Sequence, residues 1–498
     1  MKRMNKTKKW LVMSIVLLGF GIAGAESLDV TPYLGQSWYG LYFNGEKVGY
    51  LLKEINKEKA GEIHVIEDAH FMISMSGAKQ DMSIYSNRAY STSGELLYID
   101  AEMKDPAQTS SFHAEIEGDS LVLKSVLGGA IREDRFPKPA ETLTDAMRHE
   151  IWVRSTPGTG DTINFSIFEP MYQKEVSGIS RVVGTEERIF NGVSTQVYEL
   201  HTVLDLMDIE STTYVTETGV TVEDVVAGVF TMRLEPEDAA KDVDYNVDTM
   251  VSNAVALEVP IKNPRTREWL RLTLKGPLRE QHLFNDIRQT MTLEDGDVDF
   301  YAERTDLAAL TVPELPITDE TLQEHLQSGT YVQSDAPEII AKAKEIVGDE
   351  KTPQKIAETL CDWVSKNMRN VFSARLSNSL EALESMEGDC TEHTVLFVGL
   401  ARAAGLPAKM SAGLIYVNNE QPGFYFHQWA SVWLGAWVDV DPAFNQIPVD
   451  VTHIKFAEGD MFRQAKILPL IGRLQIEVKS EPLEKTASQP PSAEAPAP

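Results

Sequence analysis

The run Gly388-Asp389-Cys390-Thr391-Glu392-His393 is the most informative segment of the C-terminal third of the chain. Asp389 and Glu392 have the three-residue spacing of a capping box, which marks the start of a helix. The spacing predicts that Cys390 is the first residue of a helix that continues to Gly405. A thiol there faces unpaired backbone N–H groups and the positive helix end, and both favour the nucleophilic thiolate. The same N–H groups can stabilise an oxyanion.

A thiol nucleophile needs a base that takes its proton and later delivers that proton to the leaving group. Histidine has a suitable pKa for both steps. Two candidates follow Cys390: His393 on the same predicted helix, and His427 in a predicted strand. His393 can neighbour the thiol on the helix surface, but no acceptor that would orient its ring is evident around it. We therefore predict that His427 is the base.

The segment around His427 reads as a hairpin. Phe426–Val432 and Trp437–Asp441 are predicted strands, and Trp433-Leu434-Gly435 is a predicted three-residue loop with glycine at its end. This loop predicts a register in which Val432 pairs with Ala436.

The predicted register places His427 opposite Asp441, one strand away. A carboxylate there would hold the imidazole in one tautomer and stabilise the imidazolium. Asp439 shares the same strand face and is the alternative orienting residue, although it lies nearer the hairpin end and farther from His427.

These segments, in this order, resemble the core of the transglutaminase-like superfamily over about residues 335 to 450. The matching segments are Gly388-Asp389-Cys390, Ala404-Gly405-Leu406-Pro407-Ala408, His427-Gln428-Trp429-Ala430 and Trp437-Val438-Asp439-Val440-Asp441-Pro442. The resemblance implies a papain-like catalytic triad, with Cys390 as the nucleophile, His427 as the base and Asp441 as the orienting residue.

The resemblance also implies a thiol enzyme that acts on amide bonds of a protein or peptide through a cysteine thioester. If water resolves the thioester, the protein is a protease or amidase, which is the favoured interpretation; if a lysine amine does, it is a protein-glutamine transglutaminase that forms cross-links. The alternative from another class is a non-catalytic envelope scaffold or binding protein that retains the fold.

We predict no cofactor and no metal ion. Asp295, Asp297 and Asp299 have calcium-loop spacing, but Phe300 stands where such a loop needs glycine, which favours an acidic turn.

The N-terminal half shows a different pattern. From about Ser37 to about Phe230, short alternating runs are separated by turn pairs such as Asn44-Gly45, Gly118-Asp119 and Asn191-Gly192. The pattern predicts an antiparallel sheet or open barrel, so the fold class is α+β with a β-rich N-terminal region. Its first hairpin resembles the β-rich region that precedes this core in some exported bacterial proteins, which suggests a binding module for an envelope protein partner.

Residues 1–25 read as a signal peptide, with a basic start, an apolar run and the small-x-small sequence Ala23-Gly24-Ala25. We therefore expect an exported protein in the periplasm or outside the cell, in contact with a membrane only if this segment is uncleaved.

The net charge of −29 argues against nucleic-acid binding. The predicted domains after the signal peptide are a β-rich domain at 26–235, a small β region or linker at 250–320, a transglutaminase-like catalytic domain at 330–479 and a disordered tail at 480–498.

The chain has two cysteines, Cys361 and Cys390. In an exported protein a disulfide between them is the ordinary structural interpretation. Cys361, however, lies on the apolar stripe of a predicted amphipathic helix, so we predict a buried, unreactive thiol there and no disulfide.

Overall fold

A computed structural model describes residues 28–480 except 60, 76–77, 106–107, 191, 206–208, 244–252 and 372–376. The predicted signal peptide, and the predicted tail beyond residue 480, lie outside the described residues. The described part of the chain is rich in strand, with 47% of its residues in strands and 21% in helices. A large N-terminal antiparallel sheet precedes a C-terminal α+β unit, so the predicted fold class is confirmed.

The N-terminal sheet contains fourteen antiparallel strands in the order β8-β7-β6-β5-β4-β3-β2-β1-β14-β13-β12-β11-β10-β9. Strands β1 to β8 form a first meander, and strands β9 to β14 form a second one. Two short helices connect β8 to β9, and the two meanders pair with each other through β1 and β14. The strands are β1 Gly35–Phe43, β2 Glu46–Lys57, β3 Ile63–Met75, β4 Ala78–Tyr90, β5 Leu96–Lys104, β6 Thr109–Glu117, β7 Ser120–Leu127, β8 Ala130–Pro137, β9 Thr162–Glu169, β10 Lys174–Phe190, β11 Val193–Leu204, β12 Ile209–Thr216, β13 Thr221–Val226 and β14 Phe230–Glu235, and the helices are α1 Leu143–Ala146 and α2 Arg148–Val153.

The predicted turns lie between these strands. Phe43 pairs with Glu46, and the two residues between them, Asn44 and Gly45, both have positive φ angles, as a primed turn requires. The turn at Gly118-Asp119 is likewise formed between β6 and β7. The turn predicted at Asn191-Gly192 includes residue 191, which lies outside the described residues.

A second sheet joins the middle of the chain to its C-terminal part. Its order is β17-β18-β16-β25, so the last strand pairs with β16. The region predicted as a small β unit at 250–320 therefore shares a sheet, and a buried core that includes Leu272 and Phe300, with C-terminal residues such as Phe456. The elements are α3 Glu237–Lys241, β15 Val255–Ala256, β16 Trp269–Lys275, β17 Gln289–Glu294, β18 Asp297–Glu303 and β25 Gln475–Val478.

The predicted acidic turn near Asp295 is the β17–β18 hairpin turn, in which Glu294 pairs with Asp297. Asp299 lies on β18, and its carboxylate accepts hydrogen bonds from the Arg271 guanidinium. This ion pair already neutralises one of the three carboxylates, which supports the turn interpretation.

The C-terminal unit packs four helices against a five-stranded sheet. The sheet has the order β15-β22-β21-β24, with β23 paired to β22. Helix α7 is the central helix, and its residues from Glu392 to Ala401 are buried. The elements are α4 Pro337–Val347, α5 Pro353–Asn367, β19 Arg369–Asn370, α6 Ser379–Ser385, β20 Glu387–Gly388, α7 Cys390–Ala403, β21 Ala408–Val417, β22 Gly423–Trp433, β23 Trp437–Val440, β24 His453–Glu458 and α8 Met461–Gln464.

Helix α4 begins at Pro337, with Ala336 as its N-cap residue and no side-chain cap. Over residues 28–480, apart from the gaps given above, no helix is both long enough and apolar enough to span a bilayer.

Candidate active site

Cys390 is the first residue of α7, as its surroundings in sequence predict. The N-cap residue Asp389 accepts a hydrogen bond from the Thr391 backbone N–H at 2.8 Å, and Glu392 accepts one from the Asp389 N–H at 2.9 Å. The Asp389 side chain also accepts from the backbone N–H of Glu392, which completes the predicted capping box. The box fixes the direction of the helix start and so the position of the thiol.

The environment of the thiol differs from the expected one. Cys390 is half-buried, and its sulfur accepts a hydrogen bond from the backbone N–H of Gln428. Burial, followed by the carboxylate of Asp389, raises the pKa of the thiol well above its usual value, and the Gln428 N–H only partly opposes this rise. The expectation that the helix start favours a resting thiolate is therefore wrong. The reasons are, first, that the sulfur is removed from water and, second, that the capping carboxylate places negative charge beside it.

His427 and Asp441 are in direct contact. Nε2 of His427 lies 2.8 Å from Oδ2 of Asp441, and the two side chains are 7% and 0% exposed. The other carboxylate oxygen, Oδ1, accepts backbone N–H bonds from Ala443 at 2.9 Å and Phe444 at 3.1 Å. Because Nε2 faces the carboxylate, Nδ1 is the ring nitrogen left for exchange of a proton with a thiol.

The predicted hairpin register is wrong by two residues. Val432 pairs with Val438, and not with Ala436. The difference arises at the hairpin end, where Trp433 pairs with Trp437 and the two indole rings pack edge to face at 5.5 Å between centroids. Residues 434–436 therefore form the connection.

His427 and Asp441 contact each other in spite of this error because the displacement is an even number of residues. Successive side chains of a strand point to opposite faces, so a shift of two residues leaves both groups on the same face. The observed pairing of Ala430 with Val440 makes His427 and Asp441 diagonal neighbours, and a long side chain can bridge such a pair.

A second histidine, which the sequence did not single out, contacts the same carboxylate. Nε2 of His453 lies 3.0 Å from Oδ2 of Asp441, and Nδ1 lies 3.6 Å from Oδ1 of Asp450. The ring is completely buried. Burial alone would lower the pKa of His453, but the hydrogen bond to Asp441 and the negative charges of Asp441 and Asp450 outweigh burial and raise it. His453 is on β24, and no motif spacing links it to His427.

The carboxyl of Asp441 is ionised in this environment. Burial acts to raise its pKa, but the charge and hydrogen bond of His427, together with those of His453, hold the pKa well below its usual range. The site therefore contains a fixed negative charge shared by two imidazoles.

The alternative orienting residue, Asp439, is engaged elsewhere. Its carboxylate binds Nζ of Lys455 at 2.6 Å, Ser431 Oγ at 2.5 Å and the Arg288 guanidinium at 3.3 Å. Asp439 thus belongs to a buried ion cluster, in which the positive charges lower its pKa against the effect of burial.

The alternative base, His393, is also held in a hydrogen bond elsewhere. It is completely buried, and its Nδ1 lies 2.7 Å from the backbone oxygen of Asp389. Burial lowers the pKa of His393, which favours the neutral ring.

Cys361 and Cys390 are both free thiols, so the disulfide alternative is not formed. Cys361 is completely buried on α5, and its Sγ lies 3.6 Å from the backbone oxygen of Asp441. Burial is the main cause that raises the pKa of this thiol well above its usual value. The prediction of a buried thiol at Cys361 is confirmed.

A partly exposed aromatic ring lies beside His427. Phe444 is 41% exposed, and its ring packs edge-on against the His427 imidazole at 5.3 Å between centroids. The Arg265 guanidinium lies 5.1 Å from the centre of the same ring. The chain following Asp441 therefore provides an apolar surface next to the imidazole.

His427, Asp441 and His453 also have the ligand types of a metal site. Their ligand atoms, however, lie 2.8 Å and 3.0 Å apart, which are hydrogen-bond distances. Tetrahedral ligands at ordinary zinc bond lengths lie about 3.3 to 3.5 Å apart. The geometry thus favours N–H bonds to Asp441 over a shared ion.

Residues 340–442 match the family model for the transglutaminase-like superfamily. These residues form a transglutaminase-like core domain. The matched range contains all three residues of the predicted triad, and the superfamily is one of thiol enzymes.

Three individual proteins give more distant comparisons. An uncharacterized protein of Haemophilus influenzae is 32% identical over 110 residues, which are 21% of this chain and 29% of that protein. This chain therefore spans about three-tenths of that relative's length. The crystal structure of a "putative cysteine protease" from Cytophaga hutchinsonii covers 42% of this chain and 82% of that chain, with 18% identity and a TM-score of 0.29. A beta-barrel-like protein from Brucella abortus covers 40% of this chain and 94% of that chain, with 9% identity and a TM-score of 0.32.

Proposed function

We propose that the protein is an exported thiol enzyme that cleaves amide bonds of a protein or peptide through a thioester on Cys390. The observation that carries the proposal is the 2.8 Å contact between His427 and Asp441, beside a thiol whose sulfur is bound by the N–H of the residue after His427. The proposal of export, to the periplasm or beyond, rests on the sequence of residues 1–25.

In the proposed first step, Nδ1 of His427 takes the thiol proton while the sulfur of Cys390 attacks the carbonyl carbon of the amide. Because the thiol is protonated at rest, proton transfer accompanies attack. The Thr391 N–H is occupied by Asp389, so we propose the Cys390 backbone N–H as a donor to the oxyanion. The carbon–nitrogen bond then breaks, and the imidazolium gives its proton to the departing amine.

In the second step, His427 takes a proton from water, and the resulting hydroxyl attacks the thioester carbon. The carbon–sulfur bond breaks, the acid leaves, and the thiol is regenerated. The Asp441 carboxylate stabilises the imidazolium in both steps. We favour water as the acceptor because a lysine acceptor would need a binding site of its own.

Labelling with a peptide chloromethyl ketone tests the nucleophile. We expect the probe to modify Cys390 and to leave Cys361 unmodified, as measured by mass spectrometry of the tryptic peptides. His427→Ala should slow the labelling at least tenfold, because the thiol then has no base, whereas the surface variant His70→Ala should leave the rate unchanged. Equal labelling of the two cysteines in the folded protein would contradict the proposal.

Comparison of envelope proteins between the parent strain and a Cys390→Ala strain tests the reaction. Accumulated uncut proteins indicate hydrolysis, whereas loss of cross-linked species indicates a transglutaminase. An unchanged protein pattern, together with an unreactive Cys390, would instead favour a scaffold.

A further inference from the structure

A second cluster of ligand-type side chains lies far along the chain from the active site, at the turn between β2 and β3. It consists of Glu58, Glu62 and His64. Nε2 of His64 lies 3.8 Å from Oε1 of Glu58 and 3.9 Å from Oε2 of Glu62. The turn is closed by two backbone hydrogen bonds between Glu58 and Gly61 or Glu62, so the two acidic residues are held on either side of it.

His64 is an unusual member of such a surface cluster because its ring is buried. The residue is only 5% exposed, and within the described part of the chain its Nε2 has no hydrogen-bond partner. The two glutamates are exposed, with side chains 60% and 41% accessible. A buried polar nitrogen therefore points out of the sheet towards two carboxylates.

The other ring nitrogen of His64 is held by an asparagine. Nδ1 lies 3.0 Å from Oδ1 of Asn87 on β4. The Asn87 side chain also forms a hydrogen bond with the Tyr98 hydroxyl. Burial raises the pKa of Tyr98, and the hydrogen bond from Asn87 opposes that rise, as expected when an N–H group donates to the hydroxyl oxygen. The amide nitrogen of Asn87 thus faces Tyr98 and its oxygen faces His64. Nδ1 of His64 is thus the nitrogen that donates to Asn87, and Nε2 is the nitrogen that faces the two carboxylates.

Among the described residues, Nε2 of His64 is a buried nitrogen without a hydrogen-bond partner, and it lies 3.8 and 3.9 Å from two carboxylate oxygens, which is the donor set of a cation site. We propose that Glu58, Glu62 and His64 bind a divalent transition metal ion, with Zn²⁺ as the best match. One imidazole and two carboxylates suit zinc, and a water would take the fourth position. Asn87 would be a positioning residue, since metal-binding histidines ordinarily donate their second N–H to an oxygen acceptor.

The distances fit this proposal with little movement. Tetrahedral ligands at ordinary zinc bond lengths lie about 3.3 to 3.5 Å apart, so each glutamate oxygen would have to approach Nε2 by about 0.4 Å. Exposed glutamate side chains can make that adjustment by rotation, while His64 is already fixed by burial and by Asn87. The ion would join the turn to β3, and through Asn87 to β4.

Zinc binding is best measured by isothermal titration calorimetry on the full chain after removal of metal with EDTA. The parent for all variants carries Cys390→Ser, which removes the one half-buried thiol as a competing ligand. We expect a zinc site that His64→Gln weakens at least 100-fold. Glu58→Gln and Glu62→Gln should each weaken it at least tenfold, and Asn87→Ala about 10- to 100-fold.

A matched control is present on the same sheet, three strands away from β3. His113 on β6 also lies near two carboxylates, with Nδ1 2.6 Å from Asp100 and Nε2 3.8 Å from Glu115, but its side chain is 49% exposed. His113→Gln should leave zinc affinity unchanged. Ca²⁺ and Mg²⁺ should not compete for the site, because these ions prefer oxygen ligands.

The competing explanation is a protonated His64 that forms two long ion pairs with the glutamates. Under that explanation the His64, Glu58 and Glu62 variants would all bind zinc as the parent does. That result would overturn the proposal, and the exposed Glu58→Gln variant keeps the test valid even if His64→Gln folds poorly.

Discussion

Replacing His453 by glutamine should destabilise the C-terminal unit in a pH-dependent manner. His453 gives Asp441 one of the four hydrogen bonds that this buried carboxylate accepts. A hydrogen bond to a charged group contributes about 1.5 to 3 kcal/mol. We therefore expect His453→Gln to lower the free energy of unfolding by about 2 to 3 kcal/mol near pH 6, which is a large share of the 5 to 15 kcal/mol typical of a domain.

The sign of the pH dependence follows from the direction of the pKa shift. The folded protein raises the pKa of His453 above its unfolded value of about 6.5. The stabilisation by the charged ring is thus fully present below about pH 6.5 and is lost as the pH rises through the folded pKa. The variant should accordingly lose less at pH 9 than at pH 6. Asp441, whose pKa is lowered, stays ionised throughout this range.

Pulsed alkylation of Cys361 as a function of urea concentration measures the free energy of unfolding of the C-terminal unit. Cys361 is completely buried, so it reacts only when the C-terminal unit opens, and Cys390→Ser removes the other thiol. His70→Gln, which changes a half-exposed histidine paired with Asp68, should shift the free energy by less than about 0.5 kcal/mol. An equal loss for His453→Gln at pH 6 and pH 9, or a larger one at pH 9, would refute the assigned charge of His453.

Three further outcomes are expected. Asp441→Asn should slow acylation of Cys390 by the peptide probe about 10²- to 10⁴-fold, because the imidazolium loses its counter-charge; unchanged acylation would exclude Asp441 as the orienting residue. Phe444→Ala should raise KM about tenfold for substrates with an apolar side chain next to the cleaved bond and leave kcat nearly constant, and a change in kcat alone would contradict a substrate-binding wall. Lys455→Met should lower the free energy of unfolding by about 3 to 5 kcal/mol, since Asp439 would keep a buried charge without its closest cation; urea denaturation measures this loss, and a neutral effect would contradict it.

Local patterns predicted the features that depend on neighbouring residues. Asn44-Gly45 predicted the first hairpin because a primed turn needs two positive φ angles. Asp389 and Glu392 predicted the start of α7 because the capping box is formed within one turn of helix. Both features are decided by the chain over a few residues, and the structure confirms both.

Features that depend on contacts between residues distant in sequence were not predicted. His453 is an isolated histidine in an apolar strand, and only the pairing of β21 with β24 brings it to Asp441. The raised pKa of Cys390 was missed because burial of the sulfur depends on distant parts of the chain, and because the helix terminus was considered without its capping carboxylate. The hairpin register failed for a related reason, since packing of Trp433 on Trp437 decided it and the loop residues did not.

The pairing of β25 with β16 imposes an order of events on biosynthesis. β16 ends at Lys275, and its partner β25 begins at Gln475, so the ribosome makes the second strand about 200 residues after the first. Until then one side of β16 is an unpaired edge, and the core that supports β24 is incomplete. Because β24 carries His453, the carboxylate that orients the proposed base reaches its full set of partners only after nearly the whole chain has been translated.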